Sequence, residues 1–235
     1  MKLATMTPYT NMISNKTICR DSLKFYSSYF PLVSLTQIPL AVLVLLQRFL
    51  DPFLENHPIV AVVILLPLFS IGSSLGTAFN YILINLPDRR NLRTFLKAIY
   101  SIGPTTITTL VLTSLMVAMF FGLGLAAFIL PGLYFMALYF FVPILVVSSS
   151  KQTVAQYLYA SKQIVTHSRK NFFVTLVIAL ATFLMELPIS FLVNQLSEQF
   201  GYAPLFDVSF SICLGGLVDV FICFYFLALK EEGTT

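Results

Sequence analysis

Two acidic residues, Glu186 and Asp219, interrupt long uncharged stretches of this 235-residue chain. Residues 171–185 carry no charge before Glu186, and residues 208–218 carry none before Asp219. A carboxyl group in such apolar surroundings has two uses. It can bind a proton or a cation, or it can hold helices together as a protonated acid that hydrogen-bonds to hydroxyl or backbone groups. We favour the second use, and the sequence alone leaves both open.

The other reactive residue types form no catalytic or metal-binding pattern. The sequence contains no H-E-x-x-H, no G-x-S-x-G and no phosphate-binding P-loop, and its cysteines and histidines lack the spacing of a zinc site. The three cysteines are predicted to be apolar packing residues, and the two histidines to be solvated. We therefore expect a protein that is not an enzyme and that holds no metal and no cofactor.

The composition of the chain excludes a soluble protein. Hydrophobic residues make up 57% of the sequence and charged residues only 10%, against about 25% charged residues in an average soluble domain. So few charges cannot cover the surface of a soluble domain of this length. The same numbers exclude disorder, a disulfide scaffold and a nucleic-acid-binding domain. The composition therefore predicts a polytopic membrane protein.

Long uncharged stretches predict the membrane spans. A bilayer core about 30 Å thick needs about 20 helical residues, so the 53 uncharged residues from 98 to 150 must fold back into two spans. The apolar runs do not alternate with polar residues as barrel strands do, which favours helices. We expect an all-α fold in which residues 1–235 form a single integral membrane domain. The six predicted transmembrane helices cover residues 27–47, 59–85, 103–123, 128–148, 171–194 and 207–229.

The basic residues predict how the chain is oriented. The N-terminal segment, the loops after the second and fourth spans and the C-terminus together contain 13 of the 14 Lys and Arg residues. Arg48 alone lies on the other side. Because basic residues stay on the cytoplasmic side of a membrane, both termini are predicted to be cytoplasmic.

Helix geometry places the two acids at similar depths. Asp219 lies about 16 Å, and Glu186 about 22 Å, from the predicted cytoplasmic ends of their helices. The fifth and sixth spans could therefore bring the two carboxyl groups together. The sequence has no basic side chain at matching depth to pair with either of them.

Small residues and prolines indicate where spans pack or break. Small residues allow close approach between helices, and broken helices form the binding sites of many transporters. The predicted packing residues are Gly72, Gly76, Gly215 and Gly216, with Thr77 and Asn80 beside the first two. Pro131 and Gly132 are expected to open the fourth span after a turn that includes Gly122 and Gly124. Further predicted breaks are at Pro39, Pro67, Pro143 and Pro188.

Two cytoplasmic segments repeat apolar residues with helical spacing. One runs from Leu92 to Ile99 and the other from Val154 to Val165. We expect both to be short amphipathic helices on the membrane surface, although plain linkers whose charges only set the orientation stay possible. The predicted ligands of lipid headgroups are Arg89, Arg90, Arg93, Lys97, Lys151, Lys162, Arg169 and Lys170.

A longer pattern surrounds the fourth span. Pro131 and Gly132 open it, Pro143 begins the run Pro-Ile-Leu-Val-Val late in it, and a cytoplasmic helix with Ala155 and Ser161 follows. In this pattern residues 122–172 resemble the YciC-like family, which are small bacterial inner-membrane proteins with six spans. The membrane domain fused to some glycerophosphoryl diester phosphodiesterases is similar. The resemblance implies six spans in a bacterial inner membrane, and it offers no catalytic residues to carry over to this chain.

Two functions remain open. The leading expectation is a non-enzymatic inner-membrane protein involved in envelope or lipid organisation, acting through its surface helices and helix-packing faces. The alternative is a proton- or cation-coupled transporter or channel subunit that uses Glu186 and Asp219. The expected partners are the lipid bilayer with its anionic headgroups, and a second copy of the chain or another membrane protein. Nucleic acid is not an expected partner.

Overall fold

The computed structural model describes residues 18–54, 57–89, 91–149, 152–181 and 203–231, and within these ranges the fold is all-α, as predicted. The chain forms ten helices over these residues. They are α1 (Ile18–Thr36), α2 (Ile38–Leu54), α3 (Pro58–Asn85), α4 (Leu92–Tyr100), α5 (Pro104–Ala127), α6 (Ile129–Leu138), α7 (Val142–Ser148), α8 (Val154–Thr166), α9 (169–181) and α10 (Ala203–Glu231).

Among the described residues, four stretches of helix are long and apolar enough to cross a membrane, namely Val63–Asn85, Pro104–Ala127, Ile129–Ser148 and Val208–Lys230. A fifth is obtained if α1 and the first part of α2, which meet at 53°, count as one bent span. These stretches coincide with five of the six predicted spans. The remaining prediction, 171–194, begins within α9 and continues beyond the described residues, so six spans stay a prediction.

Local sequence signals explain several helix starts. Pro58 and Pro104 occupy the first turns of α3 and α5, where a missing N–H costs nothing. The Asn91 side chain caps α4 by accepting hydrogen bonds from two backbone N–H groups. Thr153 and Gln156 form a capping box at the start of α8. Pro67, by contrast, lies inside α3, which continues past it as one helix.

The turn between α5 and α6 is tighter than the sequence suggested. Phe128 alone separates the two helices, with extended backbone angles. Pro131 and Gly132 lie in the first turn of α6, as expected, but Gly124 lies inside α5 instead of forming the turn. A Cβ atom on Gly124 would stand 2.6 Å from the backbone nitrogen of Gly132. These two glycines therefore allow contact between the two helix backbones.

The fourth predicted span is broken between α6 and α7 at residues 139–141, and Pro143 lies in the first turn of α7. A side chain from α8 satisfies backbone groups at this break. The Ser161 hydroxyl donates to the Leu138 carbonyl oxygen at 2.8 Å and accepts from the Phe141 N–H at 3.3 Å. Ser161 is fully buried, so α8 joins the bundle through the break.

The apolar stripe of α8 does not face outward, contrary to the expectation of a helix lying on the membrane surface. Tyr157, Leu158, Ile164 and Val165 are buried in the hydrophobic core. The helix packs on α5, α6 and α7. Periodicity alone predicted the amphipathic helix but could not tell whether lipid or protein covers its apolar face.

The core of the bundle is built around α10. Residues 222–229 of this helix are all buried, and α1, α2 and α3 pack against it. Aromatic side chains fill much of this region, with Phe25 edge-on to Phe224 and Tyr81 edge-on to Phe226. This packing fixes the depth at which side chains of α1, α3 and α10 meet.

Candidate functional site

Asp219 lies on α10, inside the apolar stretch Val208–Lys230, and is buried with 4% of its surface exposed. Its two carboxylate oxygens have different donors. The Thr77 hydroxyl of α3 donates to Oδ1 at 2.6 Å, and Gln37 Nε2 donates to Oδ2 at 2.9 Å. The side-chain partners that the structure shows for Asp219 are thus uncharged, and they come from two other parts of the bundle.

Gln37 lies at the break between α1 and α2. Its backbone N–H donates to the Ser34 carbonyl at 3.1 Å, which is a tighter turn than that of an α-helix. Pro39, two residues later, has no N–H to donate to the Leu35 carbonyl, so a continuous helix would lose a hydrogen bond here. The break predicted at Pro39 is therefore present two residues earlier, and it turns the Gln37 side chain into the bundle.

Two predicted packing glycines make room for this amide. A methyl group on Gly76 would lie 2.8 Å from Asp219 Oδ2 and 3.0 Å from Gln37 Nε2, and one on Gly215 would lie 2.9 Å from Gln37 Oε1. Gly72 instead contacts the apolar side chain of Leu43 on α2, and Gly216 contacts that of Val33 on α1. Gly76 and Gly215 therefore allow the Gln37 amide to lie between α3 and α10.

Several buried polar atoms around Asp219 lack a hydrogen-bond partner among the residues that the structure describes. They are Gln37 Oε1, Asn80 Oδ1 and Asn80 Nδ2, and both side chains are fully buried. The Asn80 amide lies against the Asp219 carboxylate without a hydrogen bond of ordinary geometry. We call Asp219, Gln37, Thr77 and Asn80 the polar cluster. Unpartnered groups of this kind are rare and costly in protein interiors.

Cys223, one turn after Asp219 on α10, borders the polar cluster. It is fully buried, and its thiol lies 3.6 Å from the Thr77 carbonyl oxygen. Cys19 and Cys213 are exposed. Cys223 is thus a packing residue, as predicted. Because its thiol is buried, the rate at which a reagent labels it measures how often this part of the bundle opens.

Glu186 and Pro188 lie outside the described residues, so the predicted neighbourhood of Glu186 and Asp219 stays a prediction. Arg90 and Lys151, two predicted headgroup ligands, also lie outside them. The side chains of Arg93, Lys97, Lys162, Arg169 and Lys170 are exposed.

Arg89 differs from the other predicted headgroup ligands, because it is buried. Its guanidinium lies 5.7 Å from the centre of the Phe25 ring, and its Nε donates to the Leu86 carbonyl at 3.1 Å. These contacts tie the end of α3 to α1 and leave 8% of the residue exposed. Arg89 therefore acts in the bundle as a packing residue.

The sequence identified Asp219 but not its partners. Thr77 and Asn80 were assigned to a helix-packing face, and Gln37 was not singled out at all. The only signal for Gln37 was a polar side chain in an apolar run, two residues before a proline. Which helix it would face depends on tertiary packing.

Within the described ranges, no three His, Cys, Asp or Glu side chains are grouped so that they could hold a metal ion. Comparisons of the chain with family models, with curated proteins and with solved structures found no match.

Proposed function

We propose that the chain is a non-enzymatic protein with six spans in a bacterial inner membrane, with both termini in the cytoplasm, and that it binds anionic phospholipids and helps to organise the membrane. The distribution of basic residues supports the orientation. The resemblance of residues 122–172 to the YciC-like family supports the type of membrane. Large apolar side chains exposed near the other ends of the spans, such as Phe53, Phe128 and Leu130, fit lipid surroundings.

The surface of α4 carries this proposal. Leu92, Leu96 and Tyr100 follow one another at four-residue intervals and are 45%, 53% and 92% exposed. Arg93 and Lys97 form an adjacent exposed row, while Phe95 is buried against the bundle. An exposed apolar row beside a basic row suits the boundary between acyl chains and phosphate groups.

A fluorescence experiment tests this contact. The chain has no tryptophan, so Tyr100→Trp places a single tryptophan on α4. The variant is reconstituted in mixed phosphatidylcholine and phosphatidylglycerol vesicles, with brominated acyl chains on either lipid. We expect stronger quenching by the brominated anionic lipid. Arg93→Gln with Lys97→Gln should reduce that preference by up to about 30-fold, since each basic residue near an anionic surface contributes about 1 kcal/mol.

Arg20→Gln with Lys24→Gln is the matched control, because it removes the same charge from exposed positions on α1. It should leave the lipid preference at α4 unchanged. Two results would contradict a specific role of α4 in binding anionic lipid. One is equal quenching by the two lipids when α4 is otherwise unaltered, and the other is an equal loss of the lipid preference in both double variants.

The break at Gln37 favours a second candidate function, coupled transport of a proton or cation. A discontinuous helix beside a buried carboxylate is the arrangement in which many transporters bind their coupling ion. Flux through the reconstituted chain that Asp219→Asn abolishes would favour this candidate over lipid organisation alone.

A further inference from the structure

The polar cluster is incompletely satisfied in a specific way. Asp219 receives its two donors, yet among the described residues no donor faces the oxygens Gln37 Oε1 and Asn80 Oδ1, although both residues are fully buried. A cluster that served only to join helices would have these acceptors paired, because an unsatisfied polar group costs more in a membrane than at a wet surface. The unpaired oxygens beside Asp219 are therefore available to a group that oxygen atoms attract.

Hydrogen bonds fix which end of the Gln37 amide is the nitrogen and which is the oxygen. Its Nε2 donates both to Asp219 Oδ2 at 2.9 Å and to Thr36 Oγ1 at 3.2 Å. Rotating the amide would place its oxygen against the carboxylate and lose both hydrogen bonds. Gln37 Oε1 therefore stays near Gly76 and Gly215, at 3.2 Å and 2.9 Å from the positions that their Cβ atoms would take.

The charge of the site and the type of its ligands limit which group could bind there. A buried carboxylate without an opposite charge is costly, and the side chains that the described structure shows beside Asp219 are neutral. Carboxylate and amide oxygens are ligands for hard cations. A divalent ion would leave an uncompensated positive charge beside one carboxylate, whereas a monovalent ion balances it.

We propose that Asp219, Gln37 Oε1 and Asn80 Oδ1 bind a single alkali-metal cation between α10, α3 and the break that separates α1 from α2. Gly76 and Gly215 have no side chain, which lets the Gln37 amide lie beside Asp219 at this site. The site is separate from α4, so its existence does not depend on lipid binding there.

Cys223 provides the measurement. In the full-length chain, Cys19→Ser and Cys213→Ser remove the exposed thiols and leave Cys223, buried beside the site. The rate at which a maleimide labels Cys223 in detergent is followed at constant ionic strength while choline chloride is replaced by sodium or potassium chloride. A bound cation should slow labelling in proportion to 1 + [cation]/Kd, or about 100-fold at a concentration of roughly 100 times Kd.

Three variants assign the effect to the site. Asp219→Asn should abolish the dependence on the cation, while Asp88→Asn, which removes an exposed carboxylate, should retain it. Asn80→Leu keeps the carboxylate but removes one ligand oxygen, so it should raise the half-effective concentration at least about tenfold. It also decides the question if Asp219→Asn does not fold.

Equal labelling rates in choline, sodium and potassium would overturn the proposal, because a cation bound beside Cys223 must slow its labelling. A cation effect that persists in Asp219→Asn, or is unchanged in Asn80→Leu, would also overturn it, because the cation would act elsewhere. Failure here would leave the lipid preference of α4 untouched, since that is measured on another helix.

Discussion

Gly124→Ala is expected to lower the free energy of unfolding by about 3 kcal/mol, at the upper end of the usual cost of overpacking. The added methyl would lie 2.6 Å from the Gly132 nitrogen and 2.7 Å from its Cα. Both are backbone atoms, so no side-chain rotation can relieve the contact. The helices α5 and α6 must therefore separate, which also disturbs the packing of α8. Unfolding of the purified chain in mixed detergent micelles measures the change.

Gly122→Ala is the matched control on the same helix. Its methyl would lie 2.9 Å from Leu66 Cδ2, the end of a side chain that can rotate away. Both variants gain the same helix propensity from alanine, so their difference isolates the backbone contact. We expect Gly122→Ala to cost about 1 kcal/mol or less. Equal stabilities for the two variants would contradict the close approach of α5 and α6.

Gln37→Met is expected to destabilise the fold by about 3 kcal/mol in choline buffer. Methionine fills similar space between Gly76 and Gly215 but leaves Asp219 Oδ2 without its donor. Interhelical hydrogen bonds in membrane proteins contribute only about 0.6 kcal/mol on average, whereas a hydrogen bond to a charged group contributes about 1.5–3 kcal/mol. The size of the loss therefore indicates whether the carboxylate carries charge.

Gln163→Met on α8 controls for the change of side chain. Gln163 is exposed, and its only hydrogen bond in the described structure is to the neighbouring Tyr159 hydroxyl. Exposed substitutions of this kind usually change stability by less than about 0.5 kcal/mol. A loss for Gln37→Met that matches this control would show that Gln37 does not support Asp219.

Charge spacing was sufficient to predict the positions of the helices. Uncharged runs placed five spans near the helices that the structure contains, because charged side chains are excluded from apolar surroundings whatever the tertiary packing. Prolines indicated where α2 and α7 begin, because their missing N–H acts locally. Such local or one-dimensional constraints can be read without knowing the neighbours of a residue.

Contacts between helices could not be predicted in the same way. Gln37 and Asp219 are 182 positions apart, and the apolar residues of α3 and α10 are spread around each helix, so no apolar stripe indicates which face meets which partner. The sequence predicted the apolar stripe of α8 but not whether lipid or protein packs against it. Gly124 was predicted to be a turn residue because glycine suits a turn and a close helix contact equally well.

Gln37 and Asp219 contact each other inside the bundle, and a double-mutant cycle measures this contact. Gln37→Met, Asp219→Leu and the double variant are compared with the unaltered chain by unfolding in micelles. Removing both polar groups leaves neither one unpaired. The double variant should therefore lose less unfolding free energy than the sum of the two single losses, by at least about 1 kcal/mol. Additivity within about 0.5 kcal/mol would contradict the contact.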